Sequence, residues 1–175
     1  MCLGAVQSCI DPDDHTSVVA HRDHVYAATS IDPKSINTFA YENSSGRWLN
    51  VRSFNISLPG FITINVCGTR EQVTVTSGHR NKVLVYSLAG ELLHEDDTSD
   101  SDENMFDWPI VCDVDDSGSV LISDSGNDRL QLMSAQGEFR VVELEPEAYA
   151  PHGALLFNKQ LYVGSSKAKE VYKYI

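Results

Sequence analysis

Polar segments with aromatic, imidazole and guanidinium side chains separate short apolar segments in this sequence. Such side chains bind partners through apolar contact, hydrogen bonds and charge, and aromatic and arginine residues dominate binding hot spots. Trp108 directly precedes an apolar segment, where it serves either as a binding anchor or as packing between neighbouring segments. The residues that we predict to contact a partner are Trp108, Asp107, His152, Tyr149, His79 and Arg80.

The sequence contains few arrangements that are typical of catalysis. Its six histidines are scattered and form neither an HxH nor an HExxH pattern, the usual spacings of zinc ligands on one strand or helix. Neither a GxSxG nucleophile motif nor a glycine-rich phosphate loop occurs. We therefore predict no catalytic residue, no metal, no cofactor and no enzyme activity.

The segment that begins at Asp113 has a spacing similar to that of an EF-hand calcium loop. Carboxylates at Asp113 and Asp115 are followed by Gly118 at loop position 6 and by Asp124 at position 12. An EF-hand needs flanking helices, whereas the flanking residues here are typical of strands. We therefore predict a hairpin turn at 115–119, because aspartate side chains readily hydrogen-bond to the backbone of turns.

Four segments repeat one pattern of a short strand, a polar loop, a second strand and a glycine turn. Their first strands start 48, 47 and 41 residues apart, which is within the range of β-propeller blades. In the last three repeats the second strand begins ten residues after the first. These first strands are 25–30, 73–78, 120–125 and 161–166.

An earlier apolar strand precedes each of these pairs, and outer strands follow the first three. No segment has a sustained 3.6-residue apolar period, so we expect almost no helix. The sequence thus predicts an all-β fold, a β-propeller of four-stranded antiparallel blades with about four blades visible.

The third repeat resembles an NHL repeat, whose pattern is Pro-x-Gly, then Asp-x-x-Gly, then a strand that ends Ala-Asp-x-x-Asn-x-Arg. Residues 108–131 read WPIVCDVDDSGSVLISDSGNDRLQ and match nearly all of that pattern, although Val111 replaces the usual glycine. The second repeat keeps 77–81 without the aspartate, and the fourth keeps 151–153. The C-terminal strand also resembles the end of tripartite-motif proteins, ubiquitin ligases whose NHL propeller selects partners.

This resemblance implies roles for particular residues and a function. Asp124, Asn127 and Arg129 match positions that pin the loop between strands, so a structural role is implied for them. A protein- or peptide-recognition module of the ubiquitin pathway is implied, without ligase activity, because no zinc-binding RING spacing occurs. The resemblance also leaves open a metal-dependent enzyme of lactonase or amidoglycolate lyase type, with Asp11 and His15 as weak candidates beside His152.

NHL propellers usually have six blades, which implies that this chain is part of a longer propeller. The alternative is a closed four-bladed ring in which residues 3–10 supply the missing outer strand. Open propeller edges would favour self-association. The predicted blades are 11–57, 58–104, 105–147 and 148–175.

Charge narrows the expected partners. The chain carries a net charge of −12, which argues against RNA binding, another function known in such propellers, because phosphate contacts need Lys and Arg. The acidic segment 95–104 is expected to be a solvated connector or a clamp for a basic partner.

The four cysteines form no CxxC pair, which indicates reduced thiols and a cytoplasmic location. No membrane span is expected.

Overall fold

Short strands and tight turns make up the protein. β-branched and aromatic residues fill these strands, because their side chains pack well on a pleated, half-buried surface. The computed structural model describes residues 17–29, 34–57, 62–96 and 105–174; the predicted strand 3–10, Asp11, His15 and most of the acidic segment lie outside these ranges. The strands are β1 (Ser17–His21), β2 (His24–Thr29), β3 (Ser35–Glu42), β4 (Arg47–Asn55), β5 (Ile62–Cys67), β6 (Gln72–Ser77), β7 (Lys82–Ser87), β8 (Leu92–Glu95), β9 (Pro109–Val114), β10 (Val120–Asp124), β11 (Arg129–Met133), β12 (Phe139–Val142), β13 (Pro151–Phe157), β14 (Gln160–Ser165) and β15 (Glu170–Tyr174).

Strands that follow one another in sequence pair antiparallel and form four sheets. The orders are β1-β2-β3-β4, β5-β6-β7-β8, β9-β10-β11-β12 and β13-β14-β15. Each sheet is one blade, and the fourth blade has three strands within the described residues. The prediction of an all-β propeller built from such blades is confirmed, and a single 3₁₀ turn, Ser125–Asn127, is the only helical element of the described ranges.

The inner strands of consecutive blades pack side by side. β1 contacts β5, β5 contacts β9, and β9 contacts β13. Among the described residues no comparable packing joins β13 to β1. The described blades therefore form an arc in which each blade is held by its neighbour in sequence.

The core lies between the blades, so the second strand of a blade is covered on both faces. In β6, Val73 and Val75 are fully buried against the first blade, in a cluster that includes Ile36 and Ile62. Each fully buried isoleucine of this kind contributes about 1.5–3 kcal/mol. The outer strand β4 has mostly exposed residues, because no further strand covers it.

Antiparallel pairing places the turns at two opposite ends of the arc. The turns between second and third strands lie at the same end as the connections between blades. We call this end the upper face, and it contains 78–81, 105–108, 125–128, 143–150 and 166–169. The other end, the lower face, contains the turns 22–23, 43–46, 68–71, 88–91, 115–119, 134–138 and 158–159.

Candidate recognition site on the upper face

The turn after β6 and the connection into β9 bring two predicted binding residues together. The rings of His79 and Trp108 are tilted by 47° with centroids 5.0 Å apart. The indole also lies over Gly78, where an added Cβ would come within 3.0 Å of two ring carbons. A side chain at this position would therefore push the indole away from the turn by a few tenths of an ångström. Trp108 keeps 38% of its surface exposed, and the neighbouring Arg80 is exposed as well.

Hydrogen bonds across the blade boundary hold the backbone of Trp108. Its N–H donates to Oδ1 of Asn81 at 3.0 Å, and its φ is 58°. One blade further on, the N–H of Ala150 donates to Oδ1 of Asp128 at 2.6 Å, with φ of 44° at Ala150. The left-handed conformation before the inner strand is thus a property of the repeat. Both alanine and tryptophan occur at this position of the repeat.

Asp124 is a fully buried carboxylate at the end of β10. It accepts hydrogen bonds from the Nε of Arg129 at 2.7 Å, from the Nδ2 of Asn127 at 3.0 Å and from the Nε2 of Gln131 at 3.0 Å. The backbone N–H of Asp107 is a fourth donor, at 2.7 Å. A buried charge is tolerated when it is paired and hydrogen-bonded in this way. The network ties the third blade to the connection that carries Trp108.

Of the three residues for which the sequence implies a structural role, Asn127 and Arg129 therefore both hydrogen-bond to Asp124. The sequence did not indicate Gln131 or the N–H of Asp107 as further donors, nor Asn81 and Asp128 as acceptors. The signal was present in the repeat, because Asn81 and Asp128 occupy the same turn position of consecutive blades, each with a positive φ.

Tyr149 and His152 lie one blade further round the same face. Tyr149 is 46% exposed, and the Nζ of Lys167 lies 5.4 Å from its ring centroid. A hydrogen bond with Glu147 raises the pKa of Tyr149 above its usual value. His152 is exposed on β13 beside a register shift between Pro151 and Gly153. The upper face thus has a Trp108 cluster at one blade boundary and a Tyr149 cluster at the next.

Asp107 lies beside Trp108 but turns to the third blade. A Cβ added at Gly126 would lie 2.2 Å from its carboxylate, so this side chain covers the turn Ser125–Asn127. Of the six residues predicted to bind, the structure joins His79 directly with Trp108 and places all six on the upper end of the arc. Their role in binding stays a prediction.

The segment with EF-hand spacing forms a turn on the lower face. Oδ1 of Asp115 accepts hydrogen bonds from the N–H groups of Ser117 at 2.9 Å and Ser119 at 2.8 Å. Partial burial acts to raise the pKa of Asp115, but hydrogen bonds from these serines hold it below its usual value. Within the described part of the chain, no group of three or more His, Cys, Asp or Glu residues could hold a metal ion.

The chain matches solved structures, although no family model and no curated protein matches its sequence. A streptogramin B lyase superposes with a TM-score of 0.68 at 16% identity, covering 94% of this chain and 55% of that one. A 6-phosphogluconolactonase candidate from Bacteroides uniformis superposes with a TM-score of 0.69 at 12% identity, covering 94% of this chain and 53% of that one. A chain of a nidogen/laminin complex superposes with a TM-score of 0.60 at 16% identity, covering 82% of this chain and 53% of that one. This chain thus spans about half the length of each, and the likeness shows a β-propeller fold.

The prediction that the chain is not an enzyme is contradicted by these comparisons. A lyase and a lactonase candidate share the fold, so the lack of a linear catalytic motif is no argument against catalysis here. The physical reason is that a propeller face combines loops from several blades. Side chains that act together on such a face can be far apart in sequence.

In the described ranges, no helix is long and apolar enough to cross a bilayer. Cys67 and Cys112 have free thiols, and Cys67 is buried. A cytoplasmic location stays a prediction.

Proposed function

We propose that the upper face recognises a protein or peptide partner, with Trp108 and His79 as its anchor. A propeller presents the loops of its blades on a rigid flat end, which suits docking of a macromolecule. An amphipathic partner segment would cover the exposed part of the indole and meet the exposed Arg80 next to it. The Tyr149 cluster at the next blade boundary would extend the same surface.

The observation that carries this proposal is the presence of tryptophan at a position where the fold accepts alanine. Ala150 has the same left-handed backbone and the same cross-blade hydrogen bond as Trp108. Packing therefore does not demand a large side chain at this position, and 38% of Trp108 remains exposed. Aromatic side chains that are held rigidly and left partly exposed are typical binding hot spots, each contributing about 2 kcal/mol or more.

The resemblance of residues 108–131 to an NHL repeat supports the same proposal. We infer an NHL-type propeller with blades at 11–57, 58–104, 105–147 and 148–175, similar to those by which tripartite-motif proteins select partners. The solved nidogen/laminin complex is a further case in which a similar chain takes part in a protein complex.

Enzyme catalysis at the upper face is the second candidate function. The lyase and the lactonase candidate among the similar structures favour it. The described residues offer no metal site to support it, and an enzyme of lactonase type is no better supported than recognition. RNA binding is a weaker candidate, because the chain has 13 Lys and Arg residues against 25 Asp and Glu residues.

Selection from a displayed library of random peptides tests the recognition proposal. Peptides selected on the wild-type protein should bind the Trp108→Ala variant at least about tenfold more weakly. Gly78→Ala should weaken the binding of these peptides too, because its Cβ would displace the indole. Tyr41→Ala is the matched control, since Tyr41 is 43% exposed and lies next to the lower face. Equal losses for Trp108→Ala and Tyr41→Ala would contradict the proposal, and so would failure to select any binder.

A further inference from the structure

A cleft opens on the lower face between the first and second blades. We call it the first cleft; its volume is about 420 Å³. Strands β1 to β4 supply one wall, and the turns of the second blade supply the other. Its polar lining residues include His21, Arg22, Asp23, Tyr26, Arg52 and Glu71.

The next blade boundary has a cleft in the same position of the repeat. This second cleft, between the second and third blades, has a volume of about 190 Å³. Strand register relates the two clefts: Thr38 pairs with Arg52 just before a bulge in the first blade, and Val85 pairs with His94 just before a bulge in the second. Arg52 thus corresponds to His94. By the same alignment of strands, Tyr26 corresponds to Thr74.

Two side chains at equivalent positions distinguish the first cleft from the second: Arg52 stands where the second cleft has His94, and Tyr26 stands where it has Thr74. Arg22, Asp23 and Glu71 also line the first cleft, whereas Arg70 lies beside the second, over Gly118 and 3.5 Å from the carbonyl oxygen of Ala135. Because both clefts arise from the same repeat, blade packing does not require Arg52 or Tyr26. The fold provides the cleft, and the first blade fills it with side chains suited to a polar ligand.

Arg52 and Arg22 both lie near enough to Tyr26 for their charges to act on the pKa of its hydroxyl. Nη1 of Arg52 donates to the carbonyl oxygen of Leu88 at 2.9 Å, which holds the guanidinium across the cleft. Tyr26 is 6% exposed. Burial raises the pKa of its phenol, and the charges of Arg52 and then Arg22 oppose that rise more strongly than Glu71 adds to it.

His21 adds a polar atom with no protein partner. Its Nε2 is buried and makes no hydrogen bond, as does the Nε2 of His94 in the second cleft, although buried polar atoms are nearly always satisfied. The ring lies against Gly68, where an added Cβ would be 1.8 Å from Nε2. Glycine at 68 is therefore required for the imidazole to reach this wall of the cleft.

We propose that the first cleft binds a small hydroxylated oxyanion, with its carboxylate or phosphate between Arg22 and Arg52 at the Tyr26 hydroxyl. Guanidinium groups suit such heads because their planar N–H groups can donate two parallel hydrogen bonds. Asp23 and Glu71 balance the two arginines, so charge alone does not select the ligand. Hydroxyl groups on the ligand would donate to Glu71, and the anionic head would accept from the arginines.

Three probes that share one carbon skeleton test this site. Glycerol 3-phosphate, glycerate and glycerol are titrated into the protein and followed calorimetrically. Binding of either anion, with no binding of glycerol, is expected; the anion that binds identifies a phosphate or a carboxylate as the preferred head. Absence of binding by both anions, or equal binding of glycerol, would overturn the proposal.

Substitutions at repeat-equivalent positions locate the binding. Arg52→Gln should lower the affinity for the anion at least about tenfold, because a charge-assisted hydrogen bond is lost. Arg140→Gln is the matched control, since Arg140 pairs with Leu132 at the corresponding position of the third blade. Tyr26→Phe should also weaken binding, whereas Thr74→Val in the second cleft should change it less than twofold.

Equal effects of Arg52→Gln and Arg140→Gln would place the anion elsewhere and overturn the proposal. If Arg52→Gln fails to fold, the effects of Tyr26→Phe and Thr74→Val on anion affinity are compared instead, because both changes preserve the shape of the side chain. Trp108→Ala on the upper face should leave the anion affinity unchanged. Failure of the first cleft is thereby distinguishable from failure of the recognition surface.

Discussion

The backbone N–H of Trp108 donates to Oδ1 of Asn81 at 3.0 Å, across the boundary between the second and third blades. The turn of one blade thus fixes the residue that enters the inner strand of the next. Ala150 and Asp128 repeat this relationship one blade later. The fold therefore holds position 108 rigidly whatever its side chain, and an indole there is presented with little freedom to be lost on binding.

Loss of the Asp124 carboxylate should destabilise the third blade. Asp124→Ala removes the ion pair with Arg129, which is 20% exposed, and the acceptor of three further donors. We expect a loss of about 3 kcal/mol in the free energy of unfolding, measured with urea. Asp116→Ala, at an exposed turn position, is the control and should change the value by less than about 0.5 kcal/mol. Similar losses for both variants would contradict the described network.

The Asp115 turn should make stability depend on pH in acid. Hydrogen bonds from Ser117 and Ser119 outweigh the effect of burial and hold the pKa of Asp115 below 3.8 in the folded protein. A lowered carboxyl pKa stabilises the folded state above the unfolded-state value, and this contribution is lost as the pH falls through the folded-state value.

Urea unfolding at several pH values measures this contribution. Because Asp115 is exposed, we expect at most about 1 kcal/mol after solvent screening. The stability difference between the wild type and Asp115→Asn should be constant from pH 7 to 5 and should shrink below pH 4. A difference that grows in acid would have the wrong sign for a lowered pKa.

Cys112 should react slowly with alkylating reagents in the folded protein. Burial raises the pKa of its thiol from 9.0 to about 11, which reduces the thiolate population about 100-fold at neutral pH, since the thiolate is the reactive form. Peptide mapping after brief iodoacetamide treatment should find Cys112 unmodified in buffer and alkylated in urea. Equal modification in both conditions would show that the thiol is not protected.

The outer face of the fourth blade should promote self-association. Leu155, Phe157 and Val171 lie on the face of this blade opposite its packing against the third blade, and they are 51%, 57% and 72% exposed. Exposed apolar side chains on one face of a sheet favour association. The mass of the chain in sedimentation should rise with concentration, and Val171→Lys should reduce this rise. A wild-type monomer at all concentrations would rule the contact out.

The repeat offsets were sufficient to predict the blades, because a strand pair and its turn are determined by nearby residues. Strands β7, β11 and β15 each begin one residue before the predicted starts at Val83, Leu130 and Val171. The contacts among Asp124, Asn127 and Arg129 are local in the same way, since they span six residues of one turn.

The clefts and the cross-blade hydrogen bonds could not be predicted in this way. Arg52 and Tyr26 meet Glu71 only because adjacent blades pack with a particular register, and no sequence spacing encodes that packing. The prediction of no enzyme activity relied on the absence of a linear catalytic motif. Such a motif is not required in a propeller, because its faces combine residues of several blades.

The indole N–H signals of Trp108 and Trp48 in a ¹H–¹⁵N spectrum test the recognition surface most directly. Trp48 packs against Tyr41 in the first blade, with ring centroids 5.4 Å apart, and serves as the internal reference. On addition of a peptide selected on the wild-type protein, the Trp108 signal should shift and the Trp48 signal should stay in place. A shift of Trp48 with Trp108 unchanged, or no shift of either signal on binding, would contradict recognition at the upper face.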